Sequence, residues 1–120
     1  MKKTDWERVD VDKVDVEKLS DNISRQMFNG KHTTVARMIL VKETIVPRHS
    51  HPSEQYTLLL SGLMKMIFDD GETVLHPGEM VFITSDVPHT VEALEACVSL
   101  DIFGPPRADW INKEDHYLRG

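Results

Sequence analysis

The sequence predicts an all-β domain, a sandwich or small barrel, on three observations. Turn signals recur at the roughly 8–12-residue spacing of such folds, the runs between them are short and apolar, and no amphipathic helix is evident before the C-terminal tail.

The elements follow in order. The first twenty residues set Val9, Val11, Val14, Val16 and Leu19 among Asp, Glu and Lys and fit neither the strand nor the helix period, which leaves an edge strand or a partner-binding arm. ISRQMF, Asn29-Gly30 and HTTVARMILV read as a hairpin, because Asn-Gly supplies the two positive-φ positions of a type I′ turn. Pro47 is expected to end the second strand. Tyr56 to Leu60 is a strand closed by Ser61-Gly62, and Leu63 to Phe68 one closed by Asp69-Asp70-Gly71. VLHPGEMVFI gives two strands about a Pro77-Gly78 turn. Asp86-Val87-Pro88 is a further turn, and Cys97 to Phe103 alternates again. The tail after Gly104 opens with two prolines and leaves the sheet, with Trp110, Tyr117 and Leu118 able to pack back on it.

With 120 residues, 40% hydrophobic and 28% charged, the chain is expected to be a single domain over 1–120 with one core. Twenty acidic residues against fourteen basic ones give a formal charge of −6. That argues against nucleic acid or an anionic membrane as partner, since both need a basic face. A small anion held by one Arg stays open. The lone Cys97 cannot form an internal disulfide and reads as a small buried residue. MKKTDWERVD has no apolar h-region and no stretch approaches the ~18–20 apolar residues of a membrane span, so the expectation is a cytoplasmic protein.

VPRHSHPSEQYTLLLSG, Val46 to Gly62, carries the chemistry. His49 and His51 stand at i and i+2, so on a strand both project from one face and can share a metal ion. Gln55 or Glu54 supplies a third donor. His89 follows the second proline-containing turn, where a later strand could return beside the first. Three imidazoles and an oxygen suit one divalent ion among Fe, Mn, Ni, Co and Zn. His32, His76 and His116 read as solvated loop residues outside that set.

HSHPSEQ followed by an apolar strand and Gly62 resembles the first motif of the cupin superfamily, and PGEMVFITSDVPH, Pro77 to His89, its second. The resemblance implies a double-stranded β-helix (jelly-roll barrel), with its core over about 22–104, a short N-terminal arm and a C-terminal tail. It also implies a cage of His49, His51, Gln55 and His89. In the HxHPxEQ subgroup the Gln is the ligand, and Glu54, of opposite strand parity, would face away.

SLDIFGPPRADW, Ser99 to Trp110, is similar to the D-x-F-x-P-x-R-x-D segment of the KdgF-type pectin-degradation cupins. These convert monomeric 4,5-unsaturated uronates to the open-chain 4-deoxy-5-keto form. The resemblance implies Asp101 and Arg107 as catalytic residues, with Phe103 and Arg107 against a small anionic sugar-acid ligand. Ser53 stands where many relatives carry His, and Ala108 where Glu is frequent. The residues suit those roles. Asp101 and Phe103 share the mixed face of a strand whose other face, Val98, Leu100 and Ile102, is aliphatic. Arg107 can fork onto a carboxylate as Lys cannot. Two other classes stand beside this one, an Fe(II) dioxygenase and a non-catalytic small-molecule-binding cupin. Exposed barrel edges lead to the expectation of a homodimer.

Overall fold

The computed structural model describes residues 5–119. Met1 to Thr4, which belong to the stretch read for a leader, and Gly120 of the YLRG ending lie outside the described residues. No helix among those described is long and apolar enough to cross a membrane.

Among the described residues, ten antiparallel strands form two sheets. The larger runs β1(Glu17–Lys18), β2(Ile23–Asn29), β3(Thr34–Leu40), β10(Cys97–Gly104), β5(Glu54–Ser61), β8(Met80–Ile83), in that spatial order. The smaller runs β4(Ile45–His49), β9(His89–Ala93), β6(Met64–Phe68), β7(Gly71–Leu75). Alternation decides which side chains face inward. In β3 Thr34, Ala36, Met38 and Leu40 are buried, and in β10 Cys97, Ser99, Asp101 and Phe103. With Leu59, Met64, Met66, Val91 and Ala93 they fill the space between the sheets.

The barrel interior is graded along its length. At one end it is aliphatic, with Leu40, Leu59, Met64 and Ala93. At the other, Gln55, Thr57, Ser99, Asp101 and the imidazoles of His51 and His89 are buried. The tail packs against that polar end. It leaves β10 through a cis Gly104–Pro105 bond and forms α1(Ala108–Ile111) and α2(His116–Arg119), with Trp110 and Leu118 buried and Tyr117 partly so.

Three elements differ from the expectation. The β2–β3 connection is a four-residue loop, with Asn29 paired to Thr34, and neither Asn29 nor Gly30 has a positive φ. Thr34 Oγ1 donates to Asn29 Oδ1 at 2.6 Å and Gly30 N to Thr33 O at 2.8 Å, closing the loop without a type I′ turn. Pro47 does not end a strand but lies within β4, which the sequence did not separate from β3. β4 pairs on one side only, so the missing N–H costs no ladder bond. Of the two readings of the arm, Glu17–Lys18 is an edge strand on β2, after a 3₁₀ turn at Val11–Lys13. Gln26 Nε2 ties that arm down by donating to the carbonyls of Val11 and Val14, each at 2.9 Å.

Gly62, after the apolar strand of the first motif, has φ +91°, and a Cβ there would lie 2.1 Å from the carbonyl oxygen of Ala96. Only glycine fits without moving backbone. Gly62→Ala is therefore expected to lower stability by about 2–3 kcal/mol, read as a lower urea midpoint with unchanged slope.

Candidate metal centre

His49 and His89 are direct partners across the β4–β9 ladder, which brings the two motifs together. β4 ends at His49, so His51 lies in the following turn and not on a strand as the spacing suggested. The turn nevertheless carries its ring inward, and His51 is buried. Ring centroids are 4.3 Å apart for His49 and His89, 5.2 Å for His51 and His89, and 5.8 Å for His49 and His51. One ligand atom from each of the three lies within 4.8 Å of the others.

Each imidazole is oriented by its own chain. Nδ1 of His49 donates to Pro47 O at 2.8 Å, Nδ1 of His51 to Ser53 O at 2.8 Å, and Nδ1 of His89 to Val87 O at 2.9 Å. A neutral ring that donates from Nδ1 carries its lone pair on Nε2. The rings are neutral. Burial, the neighbouring rings and the Arg107 charge hold His49 down at about 3; burial, Arg107 and His89 hold His51 at about 4. Burial and Arg107 lower His89 as well.

These residues fit a divalent ion on two observations. His89 Nε2 is buried with no hydrogen-bond partner. Nε2 of His51 stands 2.9 Å from Gln55 Oε1, while the Gln55 amide nitrogen donates to Thr57 Oγ1 at 2.8 Å. Two acceptors facing each other at that distance are reconciled by a shared cation. Glu54, the alternative oxygen donor, is exposed on the opposite face of β5.

Asp101 lies deeper, on the rung of β10 paired to Thr57 and Ala36. Its Oδ1 is buried without a hydrogen-bond partner, and so is the Ser99 hydroxyl. Burial pushes the carboxyl up to about 7, against the opposing pull of the nearby Thr57 and Ser99 hydroxyls and of Arg107. Asp101 can therefore be half-protonated near neutrality, the condition for exchanging a proton with a bound molecule.

Arg107 is 2% exposed and not a solvated tail residue. Its guanidinium lies 4.8 Å from the Phe103 ring centre and 4.4 Å from that of Trp110. Its fork is engaged within the chain, Nε to Asp109 Oδ1 at 2.9 Å and Nη2 to Asp109 Oδ2 at 2.7 Å, and Nη2 also donates to the Tyr117 hydroxyl. Phe103, 1% exposed, packs edge-on to His51 and Trp110. Most of these residues line one interior cavity, which places His49, His89, Gln55, Asp101, Phe103 and Arg107 around a common space.

The sequence assigned no role to Thr57, to Ser99 or to Asp109, the last residue of the D-x-F-x-P-x-R-x-D segment, and did not show that Tyr117 stacks on His49, at 4.3 Å and 21°. Thr57 and Ser99 share strand parity with Gln55 and Asp101, a signal that was available. Tyr117 is placed by tail packing and carried none.

A two-sheet antiparallel barrel with inward imidazoles from both motif regions defines a class, the cupin barrels. The chain belongs to the cupin family: the cupin-domain profile matches residues 36–103. No curated protein matches the chain. Among solved structures, an RmlC-like cupin from Shewanella frigidimarina NCIMB 400 is 21% identical with a TM-score of 0.77, covering 82% of this chain and 90% of that one. KdgF from Halomonas sp. is 20% identical with a TM-score of 0.77, over 82% of this chain and 94% of that one. The oxalate decarboxylase of Lactobacillus farciminis, in complex with formate, is 14% identical with a TM-score of 0.77, over 92% of this chain and 39% of that one. At these identities the likeness is one of fold.

If the three imidazoles hold the ion, His89→Ala lowers affinity for Co(II) by more than the roughly 10–100-fold that loss of an outer-shell partner costs. His76→Ala, on an exposed imidazole paired with Glu79, leaves it unchanged. Calorimetric titration of the metal-free proteins checks both.

Proposed function

We propose that the chain is a metal-dependent cupin that opens and ketonises monomeric 4,5-unsaturated uronates from pectin or alginate breakdown. The observation that carries this reading is Asp101, a buried carboxyl raised to about 7 that lines the same cavity as His49, His89 and Arg107. In it His49, His51, Gln55 and His89 hold one divalent ion, which supplies Lewis acidity toward sugar oxygens.

The rest is the work of the chain's own residues. Conversion is an isomerisation: the ring opens, the alkene carbon gains a proton, and the resulting enol hydroxyl gives one up. Asp101 in its acid form donates to the carbon and recovers a proton from the enol, ending as it began. Arg107 anchors the sugar carboxylate through its fork, exchanging Asp109 for the ligand, and Phe103 walls the pocket beside it. The segment from Asp101 to Asp109, similar to the D-x-F-x-P-x-R-x-D segment of the KdgF-type cupins, supports the choice of substrate class.

A lyase-generated unsaturated monouronate, followed by loss of its alkene absorbance, tests the reading. The metal-loaded protein is expected to accelerate the loss and His49→Ala to abolish it; no acceleration over the spontaneous rate with metal bound would sink the proposal.

Asp101 also makes a paired prediction. Its folded pKa lies above the unfolded value near 3.9, so the native state holds the proton more tightly and stability falls as pH rises from about 4 to 7. About three units correspond to a cost of up to roughly 4 kcal/mol above pH 7. Asp101→Asn in the metal-free protein should remove much of that cost, raising the melting temperature at pH 8 but not at pH 4. In the metal-loaded enzyme it should stop turnover, and wild-type kcat should decline above about pH 7 as the acid form is lost.

The reading includes a homodimer. Tyr56, Met80, Phe82 and Ile102 stand exposed on the outer face of the larger sheet toward its β8 edge, with Tyr56 and Phe82 4.8 Å apart. Sedimentation should give twice the 13.7 kDa chain mass, and Phe82→Lys should shift it to the monomer.

A further inference from the structure

The barrel interior holds little free space. Its cavity is about 40 Å³, room for about one water, whereas small-molecule pockets begin near 300 Å³. A hollow of about 310 Å³ lies outside, between residues 50–53 and 105–109. Arg107 borders both spaces.

Part of its cover belongs to α2. Tyr117 lies flat on His49, and its hydroxyl accepts from Arg107 and, at 3.1 Å, from Trp110 Nε1. Leu118 is buried and lines the cavity. A helix of four residues does not hold itself. What holds it is Asp115, itself fully buried, which accepts from Arg25 Nη1 at 2.8 Å and from Arg119 Nε at 2.7 Å. Arg25 in turn pairs with Glu17 at 3.2 Å and lies over Trp110 at 4.4 Å. Between the helices Lys113 sits at φ 59°, in the left-handed region that suits glycine. Trp110, seated between Arg25 and Arg107, anchors α1 to the barrel, so the break at Lys113 divides a fixed part of the tail from a latched one.

We infer that α2 is a lid over the imidazole cluster, pivoting at Lys113, latched by Asp115 on Arg25 and plugged by Tyr117. Opening lifts Tyr117 from His49 and from Arg107, which widens access to the cluster. That the ligand then admitted bears a carboxylate, and takes the Arg107 fork from Asp109, rests on the uronate reading; the lid does not.

The test therefore uses no substrate. The full chain is loaded with Co(II), and loss of its visible absorbance to excess EDTA is followed in wild type, Asp115→Asn and Tyr117→Ala. Asp115 touches none of the imidazoles, so its effect reports the latch. With a lid, the wild-type rate reaches a plateau at high EDTA, and both variants raise that plateau about tenfold or more while amides of β10 exchange at the wild-type rate. Equal rates in all three proteins, or acceleration matched by faster exchange throughout β10, would overturn the lid. Amide exchange of the metal-free protein asks the same question without an ion. The Leu118 amide, bonded to Asp115 O at 3.0 Å, should exchange far faster than β10; exchange of both at one rate, as in global unfolding, is the contrary result. Absence of uronate turnover would leave these outcomes untouched.

Discussion

β10 is paired along its length on both sides, to β3 and to β5, and the site depends on that register. Side chains alternate across a strand, so a slip of one residue would turn Ser99, Asp101 and Phe103 to the outside and bring Leu100 and Ile102 in. In the observed register Asp101 lies between Ala36 and Thr57, and Phe103 between Thr34 and Gln55. The small Ala36 leaves room beside the carboxyl. The smaller sheet meets this arrangement with His49 and His89 on one rung of β4–β9. The imidazoles thus come from one side of the barrel, the carboxyl and amide from the other, and the space between them is the site.

Electrostatics at the polar end follow from burial. Two guanidiniums, Arg25 and Arg107, are almost wholly buried on either side of Trp110, and each is paired, Arg25 with Asp115 and Glu17 and Arg107 with Asp109. A buried cation left alone would be costly; paired and stacked, it is tolerated and rigidifies its surroundings. Burial raises Asp109, and the hydrogen bonds and charge of Arg107 outweigh it, so the net shift is downward. The Arg107 charge also disfavours protonation of the three imidazoles. Burial lowers all three imidazoles most, and the Arg107 charge adds to it. Asp101 is less affected by Arg107, because desolvation of a fully enclosed carboxyl exceeds that attraction.

The fold is shared at 14–21% identity with proteins as different as KdgF from Halomonas sp. and an oxalate decarboxylase. A barrel that tolerates such divergence fixes where a site can be built, not what it does. The specific content here is local: a titratable carboxyl beside an imidazole cluster, and a guanidinium occupied by a carboxylate of its own tail.

The sequence by itself determined the strand-rich class, because period-two alternation and turn residues act over short distances. It also determined the two histidine motifs and the inward parity of Gln55 and Asp101. It was misleading where a local signal competed with tertiary context. Asn29-Gly30 suits a two-residue turn, yet the hairpin closes through Thr34; Pro47 suits a strand end, yet an edge strand accommodates it. Only the tertiary structure decided that β4 and β9 pair His49 with His89, that Arg107 is buried against Asp109, and that Tyr117 covers the cluster. Those contacts join residues far apart in the chain, as Arg25 to Asp115 does across ninety positions. Their geometry arises from packing that no short-range pattern encodes.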